Sequence, residues 1–86
     1  MNVKANAIAD FIKITRESKN ISQKELCVKL GLADNGHYIS NVERKKSQFP
    51  IKRIKDLSQA LDVGVDSLVN LMVDDYRNAL LKEISK

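Results

Sequence analysis

Ser22-Gln23-Lys24-Glu25-Leu26-Cys27-Val28-Lys29-Leu30-Gly31-Leu32-Ala33-Asp34-Asn35-Gly36-His37-Tyr38-Ile39-Ser40-Asn41-Val42-Glu43-Arg44 decides the fold, because it contains two short helical patterns separated by a turn. Ser22 and Glu25 are spaced as a capping box, in which the Ser hydroxyl and the Glu carboxylate serve each other's backbone amides. Ile21 before the cap and Leu26 four residues after it make a hydrophobic staple. Leu26 and Leu30 form the buried stripe, and Gly31 ends the helix in a left-handed conformation. The first pattern therefore predicts a helix over about 22–30. After the turn, Asn35 can cap a second helix running to about Lys45, with Ile39 and Val42 inward and His37, Asn41, Arg44 and Lys45 opposite them.

Helical periodicity continues on both sides, with no sustained two-residue alternation. Upstream, Ala7, Ile8, Phe11, Ile12 and Thr15 share a face of a helix over about 5–19, with Asn20 as its stop. Downstream, Ser47-Gln48-Phe49-Pro50 is a break with Pro50 at or near the first helical position. A fourth helix over about 51–61 is expected to bury Ile51, Ile54, Leu57 and Leu61. Gly64 caps a fifth, stapled by Val63 and Leu68, with Asp66 in its first turn. Leu68, Met72, Tyr76, Leu80 and Ile84 extend it over about 20 residues, longer than a five-helix core of this size requires. The reading is one all-α domain over 1–86, with a core at about 5–71 and a C-terminal extension at about 72–86.

Composition narrows the function classes. A chain of 86 residues lies near the low end for a self-sufficient core, and 43% apolar with 30% charged residues is globular rather than disordered. The aromatics are only Phe11, Tyr38, Phe49 and Tyr76, so the core is aliphatic. No apolar run approaches the about 20 residues of a membrane helix, and residues 1–7 lack a secretory signal's apolar stretch, so a cytoplasmic protein is expected. Cys27 has no second cysteine to pair with, and with His37 as the lone histidine it makes no ordinary zinc site; no cofactor or metal is implied. Nor is there a Ser/His/acid constellation or a Gly-rich phosphate loop, which argues against an enzyme.

Charge placement is more telling than net charge. Between residues 35 and 55, Arg44, Lys45, Lys46, Lys52, Arg53 and Lys55 face the single acid Glu43, a local surplus of +5. With a net charge of +4, everything else carries −1. A surplus confined to one quarter of the chain points to a polyanionic partner.

A short capped helix, a glycine turn and a second helix ending in basic residues is the layout of a DNA-binding helix-turn-helix. The sequence resembles the phage-repressor and Cro-like (XRE) helix-turn-helix regulators through Ser22-Gln23-Lys24-Glu25-Leu26, Lys29-Leu30-Gly31-Leu32, Tyr38-Ile39-Ser40-Asn41-Val42-Glu43-Arg44 and Leu57-Ser58-Gln59-Ala60-Leu61-Asp62-Val63. The likeness covers about residues 8–71 and implies a five-helix repressor-like domain in which the helix at about 35–46 enters the major groove. By resemblance, base-edge contacts fall to Gly36, His37, Tyr38, Ser40 and Asn41. Asn41 suits a bidentate pair with adenine. Tyr38 either joins that set or packs its ring on the turn and offers its hydroxyl to a phosphate. Phosphate contacts fall to Gln23, Arg44, Lys45, Lys46, Ser47, Lys52 and Arg53, with Lys55 following on the fourth helix. If about six phosphates are neutralised, log K falls with log salt at a slope near −5.

The resemblance also makes Cys27 a small wedge between the two helices, and Arg16 with Glu43 a buried salt bridge joining the first helix to the recognition helix. Two departures stand out. The span from Gly31 to Ile39 is two residues longer than in the phage repressors, so the turn from Leu32 to Asn35 is expanded. The usual glycine after Glu-Arg is Lys45, which disfavours a left-handed exit and predicts a slightly longer helix.

The implied activity is transcription regulation by a bacterial or phage repressor on a pseudo-palindromic operator of double-stranded DNA. The alternative is a protein-interaction module, an antitoxin or antirepressor whose last helix binds a partner. That helix either folds back on Val3, Ala7, Ile8 and Phe11 or packs on a second copy; a homodimer is the expected assembly.

Overall fold

A computed structural model describes residues 7–33 and 36–85. Among them, five α-helices follow in order: α1 (Ala7–Ser18), α2 (Gln23–Lys29), α3 (His37–Glu43), α4 (Ile54–Leu61) and α5 (Val65–Ile84), with one 3-10 turn, Ile51–Arg53, leading into α4. The shared core is aliphatic: Ile12, Leu26, Ile39, Val42, Leu57, Leu61 and Leu68 have no measurable exposure.

α2 starts as its sequence dictates. The Glu25 amide donates to the Ser22 hydroxyl at 2.9 Å, and the Ser22 amide donates to Glu25 Oε1 at 2.8 Å. Hydrogen bonding to the Ser22 backbone amide, and next to its side chain, holds the Glu25 carboxyl below the usual glutamate range. Because the folded value lies below the unfolded one, this contribution is complete at neutral pH and fades as pH falls through the folded value. Urea melts of Ser22→Ala should show a loss of about 1 kcal/mol. In Glu25→Gln the decline in stability from about pH 5 downward should be shallower than in the parent.

The helix exits repeat one device. Gly31 (φ 80°) lets its amide donate to the Val28 carbonyl and that of Leu32 donate to Cys27, closing α2 in a Schellman motif. Asn20 (φ 58°) closes α1 in the same way, with the Ile21 amide on the Arg16 carbonyl. Lys45 (φ 63°) does so for α3, its own amide bonded to the Val42 carbonyl and that of Lys46 to Asn41. The longer third helix predicted from a lysine at this position is thus not formed. Two backbone hydrogen bonds, and an ion pair from Lys45 Nζ to Asp10 Oδ1 at 3.3 Å, offset the strain of a left-handed lysine.

Two further expectations are corrected. The inward face of α1 centres on Ile8, Ala9, Ile12 and Arg16, with Phe11 and Thr15 at its margin. Pro50 stands directly before the fourth helical segment, as expected, but extended (ψ 140°), and the chain then makes the 3-10 turn before α4. Ile51 consequently points outward, 79% exposed, while Phe49 takes the core position beside it. The proposed cap at Asn35 lies outside the described residues.

α5 divides into two parts. Its first turns bury Leu68 and pack Leu71 and Met72 against the core. Asp75 reaches the start of α1, where Oδ1 accepts from the Ala7 amide at 2.6 Å and Oδ2 from that of Ile8 at 3.2 Å. A carboxylate at a helix N-terminus is favourably placed for both hydrogen bonding and the helix dipole. So α5 does fold back on α1, yet Val69, Val73, Tyr76, Leu80, Leu81 and Ile84 remain exposed.

Candidate nucleic-acid interface

α3 is held at both of its ends, each time against the first turn of α2. At the near end, Gly36 (φ 90°) is buried against the first turn of α2, so closely that a Cβ there would lie 3.0 Å from the Lys24 backbone nitrogen. At the far end, Glu43 of α3 is gripped by α1. Arg16 Nε donates to Glu43 Oε2 at 2.8 Å and Nη2 to Oε1 at 3.0 Å, while Nη1 donates to the Ile21 carbonyl. Gln23 Nε2 donates to the same Oε1 at 3.0 Å. The hydrogen bond to Glu43 raises the Arg16 pKa further above its already high value, against the opposing effect of burial. One carboxylate therefore ties α1, α2 and α3 together.

With α3 fixed, its two faces separate cleanly. Ile39 and Val42 are fully buried. His37, Ser40, Asn41 and Arg44 follow the spacing of one helix stripe on the opposite side. His37 and Arg44 are exposed and Ser40 and Asn41 half-exposed. Arg44 Nη2 donates to Asn41 Oδ1 at 3.2 Å, an exposed bond within the helix.

The remaining residues singled out in the sequence are dispersed. Lys46, Ser47 and Lys52 are exposed beyond α3, as is Lys55 on α4. Gln23 turns to Glu43, Lys45 to Asp10, and Arg53 Nη1 donates to the Leu30 carbonyl at 3.1 Å. Cys27 is buried in the core. Tyr38 does not join the outward stripe. Its ring tilts onto Phe49 at 6.1 Å between centroids, its hydroxyl oxygen is buried, and that burial pushes the phenol pKa up. Neither reading of Tyr38 as a DNA contact fits this placement, and Gly36 presents itself to α2. The sequence carries no signal for Phe49 as the partner of Tyr38, because Phe49 sits in a break, outside any helical period.

A helix-turn-helix family model matches residues 12–68, the span from α1 into α5. The chain belongs to the XRE-type helix-turn-helix family. Solved structures agree. The hypothetical transcription factor NHTF from Neisseria is 31% identical, with a TM-score of 0.65, covering 78% of this chain and 74% of that one. The restriction-modification controller protein C.AhdI from Aeromonas hydrophila is 28% identical, TM-score 0.63, over 73% and 92%. SinR, a master regulator for biofilm formation solved in complex with DNA, is 36% identical, TM-score 0.62, over 72% and 97%. Among curated proteins none matches. This XRE-type chain is a DNA-binding transcriptional regulator with a repressor-like helical fold. No helix among the described residues is long and apolar enough to cross a membrane.

Proposed function

We propose that this regulator is a cytoplasmic, sequence-specific repressor that lays α3 in the major groove of an operator and reads bases with His37, Ser40 and Asn41. The carrying observation is the division of α3: its inward face and both ends are fixed, while one polar stripe faces out. Asn41 presents an amide that matches the N6 and N7 edge of adenine once Arg44 releases its oxygen, and an exposed bond of that kind is weak. Arg44, Lys46, Ser47, Lys52 and Lys55 lie on phosphates and set register. Since Lys45 and Arg53 are engaged within the chain, about four cations per chain remain, and the salt slope per chain is nearer −4 than −5.

Selecting bound sites from a random duplex pool tests this and returns the operator. On the selected duplex, Asn41→Ala should cost about 1–3 kcal/mol and relax preference at one base pair. Lys46→Ala should weaken selected and scrambled duplex alike and reduce the salt slope by about 0.9. If Asn41→Ala weakens both duplexes equally, the groove assignment fails.

The assembly in this proposal is a homodimer through α5. Its exposed Val69, Val73, Tyr76, Leu80, Leu81 and Ile84 form an apolar face, continuous with a groove bordered by Phe49, Ile54 and Met72, of the kind that marks an interaction surface. Two copies related by a two-fold would read half-sites one helical turn apart, about 34 Å. Sedimentation should give a dimer that Tyr76→Glu dissociates. A monomer at all concentrations would leave that face to a different protein.

A further inference from the structure

We propose that Arg53 is a positioning residue, one whose guanidinium fixes the end of α2 and the turn leading to α3, and that it makes no phosphate contact. The last carbonyls of a helix have no amide ahead of them in the same helix and carry the negative end of its dipole. Arg53 supplies both a donor and a charge there: it leaves the 3-10 turn before α4 half-buried and donates from Nη1 to the Leu30 carbonyl at 3.1 Å. It also lies close enough to Tyr38, in the first turn of α3, for its charge to act on the phenol. One side chain thus links the exit of α2 to the approach to α4, with its charge near the first turn of α3. Its neighbours in sequence, Lys52 and Lys55, are exposed. The link matters most in this chain because the sequence between α2 and α3 is the expanded one.

This inference rests on the major-groove reading only for its effect on DNA, so its test has an arm without DNA. Amide exchange of Gly31 and Leu32, whose N–H groups donate to Val28 and Cys27, reports opening of the turn. In Arg53→Gln the two amides should exchange about tenfold faster, while Lys52→Gln leaves them unchanged. Arg53→Met, which keeps the aliphatic stem, gives the same result if the glutamine variant folds poorly. On the selected duplex, Arg53→Gln should lose about tenfold in affinity with an unchanged salt slope and unchanged binding to scrambled duplex. Lys52→Gln should lower the slope by about 0.9. Unchanged exchange together with a slope reduced by about 0.9 in Arg53→Gln would overturn the proposal. If the parent protein shows no salt-dependent duplex binding, the major-groove reading fails and the exchange arm alone decides the role of Arg53.

Discussion

Glu43→Ala should destabilise the protein by about 3–5 kcal/mol, a large fraction of what holds a domain of this size folded. The reason is what it leaves behind. Arg16 has a side chain only 10% exposed and keeps its positive charge at any usable pH, so it is stranded rather than neutralised. Gln23 loses its acceptor as well, and the exposed Glu17 carboxylate, 3.8 Å from Arg16, is a poor substitute. The sign of the pH dependence is also fixed. The folded Arg16 pKa is raised, so its contribution is complete below the unfolded value and is lost only as pH rises through the folded one. Across about pH 6–9 the deficit in Glu43→Ala should therefore be flat in urea melts.

Two comparisons isolate the cause. Asp10→Ala, which removes the exposed partner of Lys45, should cost no more than about 1 kcal/mol. Replacing both members, Arg16→Met with Glu43→Leu, should recover most of the loss, because no charge is then left buried. A single-variant loss under about 1 kcal/mol would mean that the three-helix junction is no stronger than a surface pair.

Gly36→Ala should lose about 2–4 kcal/mol, combining left-handed strain with overpacking. At φ 90° an alanine is strained whatever surrounds it, and here its Cβ would meet the Lys24 nitrogen at 3.0 Å and the Gln23 carbonyl carbon at 3.1 Å. Both are backbone atoms of α2, so relief requires the two helices to part. Gly31 provides the control: its φ of 80° imposes similar strain, but a Cβ there meets nothing within 4 Å. Gly31→Ala should cost only about 1 kcal/mol. For a domain this small each kcal/mol moves Tm by about 4–8 °C, so thermal melts separate the two variants. Equal losses would show that the close approach of α3 to α2 contributes nothing.

The parts of this architecture that were legible from sequence are those governed by local chemistry. Ser22 with Glu25, the stop at Gly31, and the Ile39 and Val42 period each act within a turn or two, so α2 and α3 could be placed before any packing was known. Ile51 is exposed, against its helical spacing, because the chain after Pro50 first makes a 3-10 turn, and Phe49 is buried instead. Lys45 departs from its sequence expectation for a different reason: residue preference disfavours its conformation, and the amides of Lys45 and Lys46, bonded to Val42 and Asn41, overrule it. Within the interface, charge alone could not distinguish Lys46 from Arg53. Both are cations in one basic stretch, and only the fold reveals that the second has a carbonyl to serve.

The separation of duties along α3 has a consequence for engineering. Gly36, Tyr38, Ile39, Val42 and Glu43 are bound to the scaffold, whereas His37, Ser40, Asn41 and Arg44 owe it almost nothing. Under the proposed major-groove reading, His37, Ser40 and Asn41 form a rewritable reading head, with Arg44 beside them on the phosphates. On that reading a library varied at those positions keeps the scaffold intact while retargeting the protein to new addresses, and the same partition would let an ancestral copy diverge in specificity without first surrendering its stability.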